Sequence, residues 1–151
     1  MRVGDIPRAS GPLVLKSLDG PSFPLTCVEE VTMEKISLAA KLALLDEYWS
    51  PRVICELNGQ KVVLAKLKGE FLWHQHETQD EMFLVIEGQV VVRLRDQDIV
   101  LEKGELFVVP RGVEHLPVAE DEAHVLLFEP LDTVNTGHVR SDRTMEAMPK
   151  L

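Results

Sequence analysis

Hydrophobic and polar positions divide the chain into three stretches of different rhythm. Residues 1–32 hold no period: Pro7, Gly11, Pro12, Gly20, Pro21 and Pro24 interrupt every run, and an irregular extension or arm is expected there. Met33, followed by Glu34-Lys35-Ile36, could serve as an alternative start. From Glu34 to about Tyr48, Ile36, Ala40, Ala43, Leu44 and Glu47 recur at helical spacing, and Leu38, Leu42 and Leu45 widen the apolar stripe. Pro51 ends that helix, because the residue before a proline resists helical backbone angles. So broad an apolar face must be covered, either by the domain itself or by a second subunit.

Beyond Pro51 the period falls to two. Val53, Cys55 and Leu57 alternate up to Asn58-Gly59, the dipeptide of a two-residue hairpin turn. Val63, Ala65 and Leu67 share one face, and Val62, Leu64, Lys66 and Lys68 the other. Gly69 breaks the run before Phe71-Leu72-Trp73. Further strands are expected at 82–86, 90–95, 99–101, 106–110, 113–118 and 123–128, the last two parted by an acidic loop, Glu120-Asp121-Glu122. Roughly eight or nine short strands with closely spaced turns predict an all-β barrel or jelly roll. From Pro130 the chain turns polar and irregular, with a turn expected at Asn135-Thr136-Gly137-His138.

Charge and composition narrow the function more than the fold. The 151 residues suit one domain, 45% apolar and 27% charged, with a net charge of −9. That balance argues against nucleic acid, whose backbone demands a cationic surface. The opening residues lack a signal-peptide core and no later run approaches a membrane span, so a cytoplasmic protein is the expectation. The two cysteines, Cys27 and Cys55, are unclustered and indicate neither a disulfide framework nor a zinc ribbon.

The chemistry concentrates in Trp73-His74-Gln75-His76-Glu77-Thr78-Gln79-Asp80-Glu81. Side chains at i and i+2 of an extended segment leave the same face, so His74 and His76 can aim both imidazoles into one pocket. Glu81 opens the next strand, expected to pair back beside the first, and could add a carboxylate oxygen. His115, after Pro110-Arg111-Gly112-Val113-Glu114, could be a fourth ligand. Three histidines and a glutamate suit a first-row transition metal better than calcium or magnesium. His124 and His138 stand outside this pattern. Arg93 and Arg95 point toward solvent or, less simply, into the barrel; the acidic loop residues, Asp80 among them, read as solvated charge.

Gly69, His74-x-His76, Glu81 and Gly88 resemble the first sequence motif of the cupins. Gly104, Pro110-x-Gly112 and His115 resemble the second. One residue fewer separates Gly69 from His74 than in the common pattern, and Ala119 stands where many cupins carry asparagine. The resemblance covers roughly residues 53–129. It implies a double-stranded β-helix, a jelly-roll barrel with one short N-terminal helix, as a domain over 33–130, followed by a tail over 131–151. It further implies one divalent transition metal (iron, manganese, nickel or zinc) held by His74, His76, Glu81 and His115, and a homodimer. The layout is similar to small one-domain cupins, some labelled mannose-6-phosphate isomerase-like. Activities across that superfamily include dioxygenases, isomerases and plain binding proteins, so fold does not select the reaction. Four ligands would leave an octahedral metal two open positions. The expected function is therefore oxygenase- or isomerase-type chemistry on a small oxygenated molecule, or else a non-catalytic, metal-anchored binding or sensing module. The catalytic residues stay unassigned: Glu81 would be occupied as a ligand, and neither motif places a second carboxylate or histidine in the cavity as a proton carrier.

Overall fold

The computed structural model describes residues 34–151; the expected N-terminal extension and the alternative start at Met33 lie outside the described residues. One helix, α1 (Leu38–Leu42), precedes seven strands: β1 (Arg52–Leu57), β2 (Gln60–Glu70), β3 (Glu81–Glu87), β4 (Gln89–Leu94), β5 (Asp98–Glu102), β6 (Leu106–Val109) and β7 (His115–Pro130). All pairings between strands are antiparallel. The order β1-β2-β7-β3-β6 forms one wall, and β4, paired with β5 and with the first part of β7, forms the other. The result is the expected jelly-roll barrel. Among the described residues no helix is long and apolar enough to cross a membrane.

The period-two pattern of the sequence becomes the barrel's two faces. Val63, Leu127, Phe83 and Phe107 are cross-strand neighbours on the inner face, and Ala65, Val125 and Val85 form the next row. With Leu67, Val90, Val92, Leu101, Val109 and Ala123 they make the buried core. The β1–β2 hairpin turns as expected, because Asn58 and Gly59 both take positive φ, the conformation that matches the twist of a two-residue loop.

Three expectations are corrected. The two strands expected at 113–118 and 123–128 are one strand. Leu67 pairs with Ala123 and Gly69 with Ala119, so Glu120-Asp121-Glu122 stands opposite Lys68 alone and bulges outward without ending β7. Such a bulge bends a strand, and here it lies where β7 leaves β4. Gly88 admits it: a Cβ there would meet the Glu122 carbonyl oxygen at 2.7 Å. Gly69 likewise lies inside β2, at the same irregularity, and does not terminate it.

The helix, expected to reach Tyr48, spans five residues. Ser37 caps it, its Oγ accepting from the Ala40 N–H. Past Ala43 the chain is captured by β2: the Lys66 ammonium donates to the Leu45 carbonyl at 2.7 Å, and the Trp49 N–H donates to the Lys66 carbonyl at 2.9 Å. Pairing with a strand thus outweighs the local helical preference. No residue of α1 itself is buried.

Candidate metal centre

His74 and His76 sit on the extended segment between β2 and β3, and that segment is anchored from an unexpected side. Glu81 opens β3, which pairs with β6 and β7 and not with the histidine segment. The segment bridges instead to the start of β7. His74 N–H donates to the His115 carbonyl (3.0 Å), His115 N–H returns the bond (2.9 Å), and Gly112 N–H donates to the His76 carbonyl (2.7 Å). Three stretches distant in sequence therefore meet at one end of the barrel.

The four side chains His74, His76, Glu81 and His115 are all buried, and one ligand-type atom from each falls within 4.8 Å of all the others. Glu81 Oε2 lies 3.1 Å from His115 Nε2 and 3.2 Å from His76 Nε2. Donors that each stand about 2.0–2.2 Å from one ion are spaced by about 3 Å at adjacent corners and about 4 Å when opposed, so this spacing fits a single cation. The outer edges of two rings are fixed by backbone: His74 Nδ1 donates to the Leu72 carbonyl and His115 Nδ1 to the Val113 carbonyl, each at 3.0 Å. A ring whose Nδ1 carries the proton has an Nε2 lone pair to offer, the orientation expected of a ligating imidazole. His76 Nε2 is buried without a hydrogen-bond partner, since its approach to Glu81 lacks hydrogen-bond geometry. Buried polar atoms without partners are uncommon and costly. A cation at the focus of the four groups would satisfy this one.

The electrostatics agree with a site short of positive charge. Burial, reinforced by the charge on His115, lowers the His74 imidazole to about 4. For His115 burial acts in the same sense, but the hydrogen bond and charge of Glu81 outweigh it and raise the imidazole above its ordinary value. Burial alone would raise the Glu81 carboxyl; the neighbouring His115 and His76 rings outweigh it and hold the group well below the usual carboxylate range. With Nδ1 committed to Val113, His115 can donate to Glu81 only as the imidazolium. That proton occupies the place a metal would take.

Other residues frame the centre. Asp80, expected as solvated charge, accepts from the Arg111 N–H (2.9 Å) and from its guanidinium Nε (3.1 Å), tying the loop before Glu81 to the turn before His115. Arg95 lies over the Trp73 ring at 3.8 Å and pairs with Glu114 at 2.8 Å, and Arg93 pairs with Glu70 at 2.8 Å, so both arginines stay outside the barrel. His124 pairs with Glu122, away from the centre. The tail folds back over the histidine segment: the expected turn at Asn135–His138 forms, and Gly137 packs so closely that an added Cβ would collide with the Gln75 carbonyl.

Sequence reasoning missed a buried pair of ionisable groups, Lys61 and Glu129, 3.4 Å apart. Glu129 is the cross-strand neighbour of Lys61 on one side, and register places it beside Glu81 on the other. Burial, with the charge of Glu81, pushes its carboxyl up to about 8 against the opposing pull of Lys61. The signal was available. Counting back two from Val63 and forward two from Leu127 puts both residues on the inner face.

Beside the centre lies a chamber lined by Trp49, Ala65, Leu67, Phe71, Phe83 and Met148, among others, which His74 and Glu81 also line.

Comparison with known proteins places this architecture. The profile of the cupin domain matches residues 56–130. The chain is similar to a solved cupin-2 domain containing protein from Shewanella frigidimarina NCIMB 400, at 45% identity over 63% of this chain and 93% of that one, with a TM-score of 0.62. It is also similar to protein NMB1881 from Neisseria meningitidis, at 35% identity over 64% and 99% of the two chains, with a TM-score of 0.60. Among curated proteins it matches uncharacterized protein YdbB of Bacillus subtilis (strain 168), 36% identical over 63 residues; the match spans 56% of that relative's length.

Proposed function

The chain belongs to the cupin family, and from that premise we propose that His74, His76, Glu81 and His115 hold one divalent transition metal and present it to a small oxygenated ligand. The observation that carries this reading is the set of nitrogens turned inward. Two Nδ1–H groups are fixed to backbone carbonyls, and the buried Nε2 of His76 has no hydrogen-bond partner. Three imidazoles and one carboxylate favour iron, manganese, nickel or zinc over calcium or magnesium. When bound, such a metal supplies a Lewis acid for a carbonyl or enediol oxygen or, if it is iron, a seat for dioxygen beside the substrate, which is the chemistry of isomerase- and oxygenase-type cupins.

The chain's own residues supply position and an apolar surround. Glu81 and the three imidazoles would hold the ion, and the backbone carbonyls of Leu72 and Val113 hold two of the rings. The wall beside the centre is largely apolar, which strengthens any polarisation there. Elemental analysis of protein purified without an affinity metal tests the site. About one metal per chain is expected, lost in a His76→Ala variant. Full metal retention by that variant would overturn the assignment.

A specific observation favours the second reading, a non-catalytic binding or sensing module. The chamber wall carries no titratable side chain besides His74 and Glu81, so it offers no independent proton carrier. A ligand recovered chemically unchanged after long incubation with metal-loaded protein decides for that reading. A second copy of the chain is the proposed partner of the apolar residues left exposed, Leu44 (61%) and Leu106 (57%) foremost. Light scattering is expected to give twice the 17.0 kDa chain mass, and a monomeric mass would remove this partner.

A further inference from the structure

The chamber restricts what can approach the centre. Its ionisable groups lie together, His74 and Glu81 with ligand-type atoms within 4.8 Å of each other; the rest of the wall is apolar or aromatic side chains and Asn135. Asn135 is the one polar residue of that remainder, and its amide is engaged elsewhere. Its Nδ2 donates to the Arg143 carbonyl at 2.8 Å, and its Oδ1 accepts from the Met145 N–H at 2.8 Å. Trp49 stacks on Phe71 with ring centroids 5.1 Å apart, and the Arg143 guanidinium, 5.7 Å from the Phe71 centroid, donates to the Glu70 and Phe71 carbonyls. The aromatic wall is thus held from outside. The chamber is partly open to solvent and offers about 40 Å³, where about 10–15 Å³ suffices to seat one water, so it admits a few heavy atoms.

We propose that the ligand brought to this centre is a short-chain monocarboxylate, with one oxygen-bearing end on the metal and an unsubstituted apolar body in the chamber. This rests on the metal reading above, because the carboxylate would otherwise face the Glu81 carboxylate unscreened. A sugar or sugar phosphate would turn hydroxyls toward a wall with no partner for them, and a buried hydroxyl without a hydrogen bond loses its hydration uncompensated. Small volume and one-sided polarity therefore select together for a short, unsubstituted chain. Four of the wall residues lie outside the stretch matched to the cupin domain. Trp49 and Pro51 precede residue 56, and Asn135 and Met148 follow residue 130. Met148 is the adaptable part of the wall, an unbranched thioether on the tail, and it sets how long a chain is admitted.

The test uses the full chain with zinc, a diamagnetic probe ion, and compares butanoate with 4-hydroxybutanoate, which carries the same chain with one hydroxyl at the far end. Butanoate is expected to bind about tenfold tighter and to shift the methyl resonance of Met148 in protein labelled at its methionine methyls. In Met148→Ser the preference should shrink toward parity with zinc content unchanged. Xenon, which enters dry apolar cavities, should shift the same methyl without any metal. Equal or tighter binding of 4-hydroxybutanoate by zinc-loaded protein overturns the proposal and leaves the metal centre standing. A protein that takes up no zinc overturns the metal centre, and with it the carboxylate end. In that sample a Met148 methyl indifferent to xenon would overturn the apolar chamber as well, and a shifted one would uphold it.

Discussion

Metal uptake should release protons over an unusually wide pH range, because two of the imidazoles, His74 and His115, are shifted in opposite directions. In three ordinary histidines all rings would be charged at pH 5 and neutral by about pH 7.5. Here His74, lowered to about 4 by burial and by the charge of His115, is already neutral at pH 5. His115, raised by Glu81, keeps its proton beyond the ordinary histidine value of 6.5. Metal binding at pH 5 should therefore release fewer than three protons, short by about the one His74 no longer holds. At pH 7 His115 should still contribute more than the roughly quarter proton an ordinary imidazole holds there. Each displaced proton changes the binding free energy by about 1.4 kcal/mol per pH unit, about tenfold in affinity. The linked stability has opposite signs at the two rings. The raised imidazole of His115 stabilises the metal-free fold fully below pH 6.5, and that contribution fades as pH climbs through its folded value. The lowered imidazole of His74 contributes fully above pH 6.5, and its contribution fades as pH falls toward 4. Calorimetric titration with zinc in buffers of differing ionisation enthalpy counts the protons directly. A full three protons at pH 5 would refute the charge assignment, because that release belongs to three unperturbed rings.

Two further perturbations probe the frame around the centre. Lys61→Met removes the ammonium that donates to the Thr133 (2.6 Å) and Leu131 (3.3 Å) carbonyls and faces Glu129, and should cost about 3–5 kcal/mol. Urea unfolding should show a larger loss at pH 9 than at pH 6, because Glu129, pushed up to about 8, is neutral in acid and ionised in base; a loss of equal size at both pH values would show that Lys61 serves only as a hydrogen-bond donor. Gly137→Ala places a Cβ against the Gln75 carbonyl at a positive-φ position and should cost about 2 kcal/mol or more. Because Gln75 lies between His74 and His76, the variant should also bind zinc more weakly, and unchanged affinity would show that the tail does not brace the histidine segment.

The parts legible in the sequence were those written in local rhythm. Period-two alternation located most strands, Asn58-Gly59 marked its hairpin, and the spacing of His74, His76, Glu81 and His115 picked out side chains that the fold brings together. Tertiary pairing was not legible. The helix expected to reach Tyr48 stops early because Lys66 and the edge of β2 capture residues 45–49, an interaction invisible in the local apolar stripe. The acidic triplet reads as a loop because three consecutive exposed charges break alternation, yet a strand can carry them as a bulge when its neighbour, at Gly69, yields register. Lys61 and Glu129 were passed over for a different reason. They occupy inward positions by parity, but an ionisable side chain on an inner face is rare enough that composition argues against it.

The same bulge explains why the centre lies where it does. A strand running straight from His115 to Pro130 could pair with β4 or with β3, but it could not close both walls of a barrel. By bending at 119–123, β7 gives its first residues to β4 and its last to β3, while β2 runs along both parts. That one strand thus positions His115 through its own start, and Glu81 through its pairing with β3. His74 and His76 are then held by backbone bonds to His115 and Gly112, so every ligand candidate is referred, directly or through one neighbour, to β7. It follows that the geometry of the four groups depends on the register of β7 more than on the loops between them. The turn Pro110–Gly112 is aligned by the Asp80–Arg111 clamp and by the Gly112 N–H bond to His76, whereas a change at the Gly88–Ala123 contact, where β7 bends, would move His115 and Glu81 relative to each other.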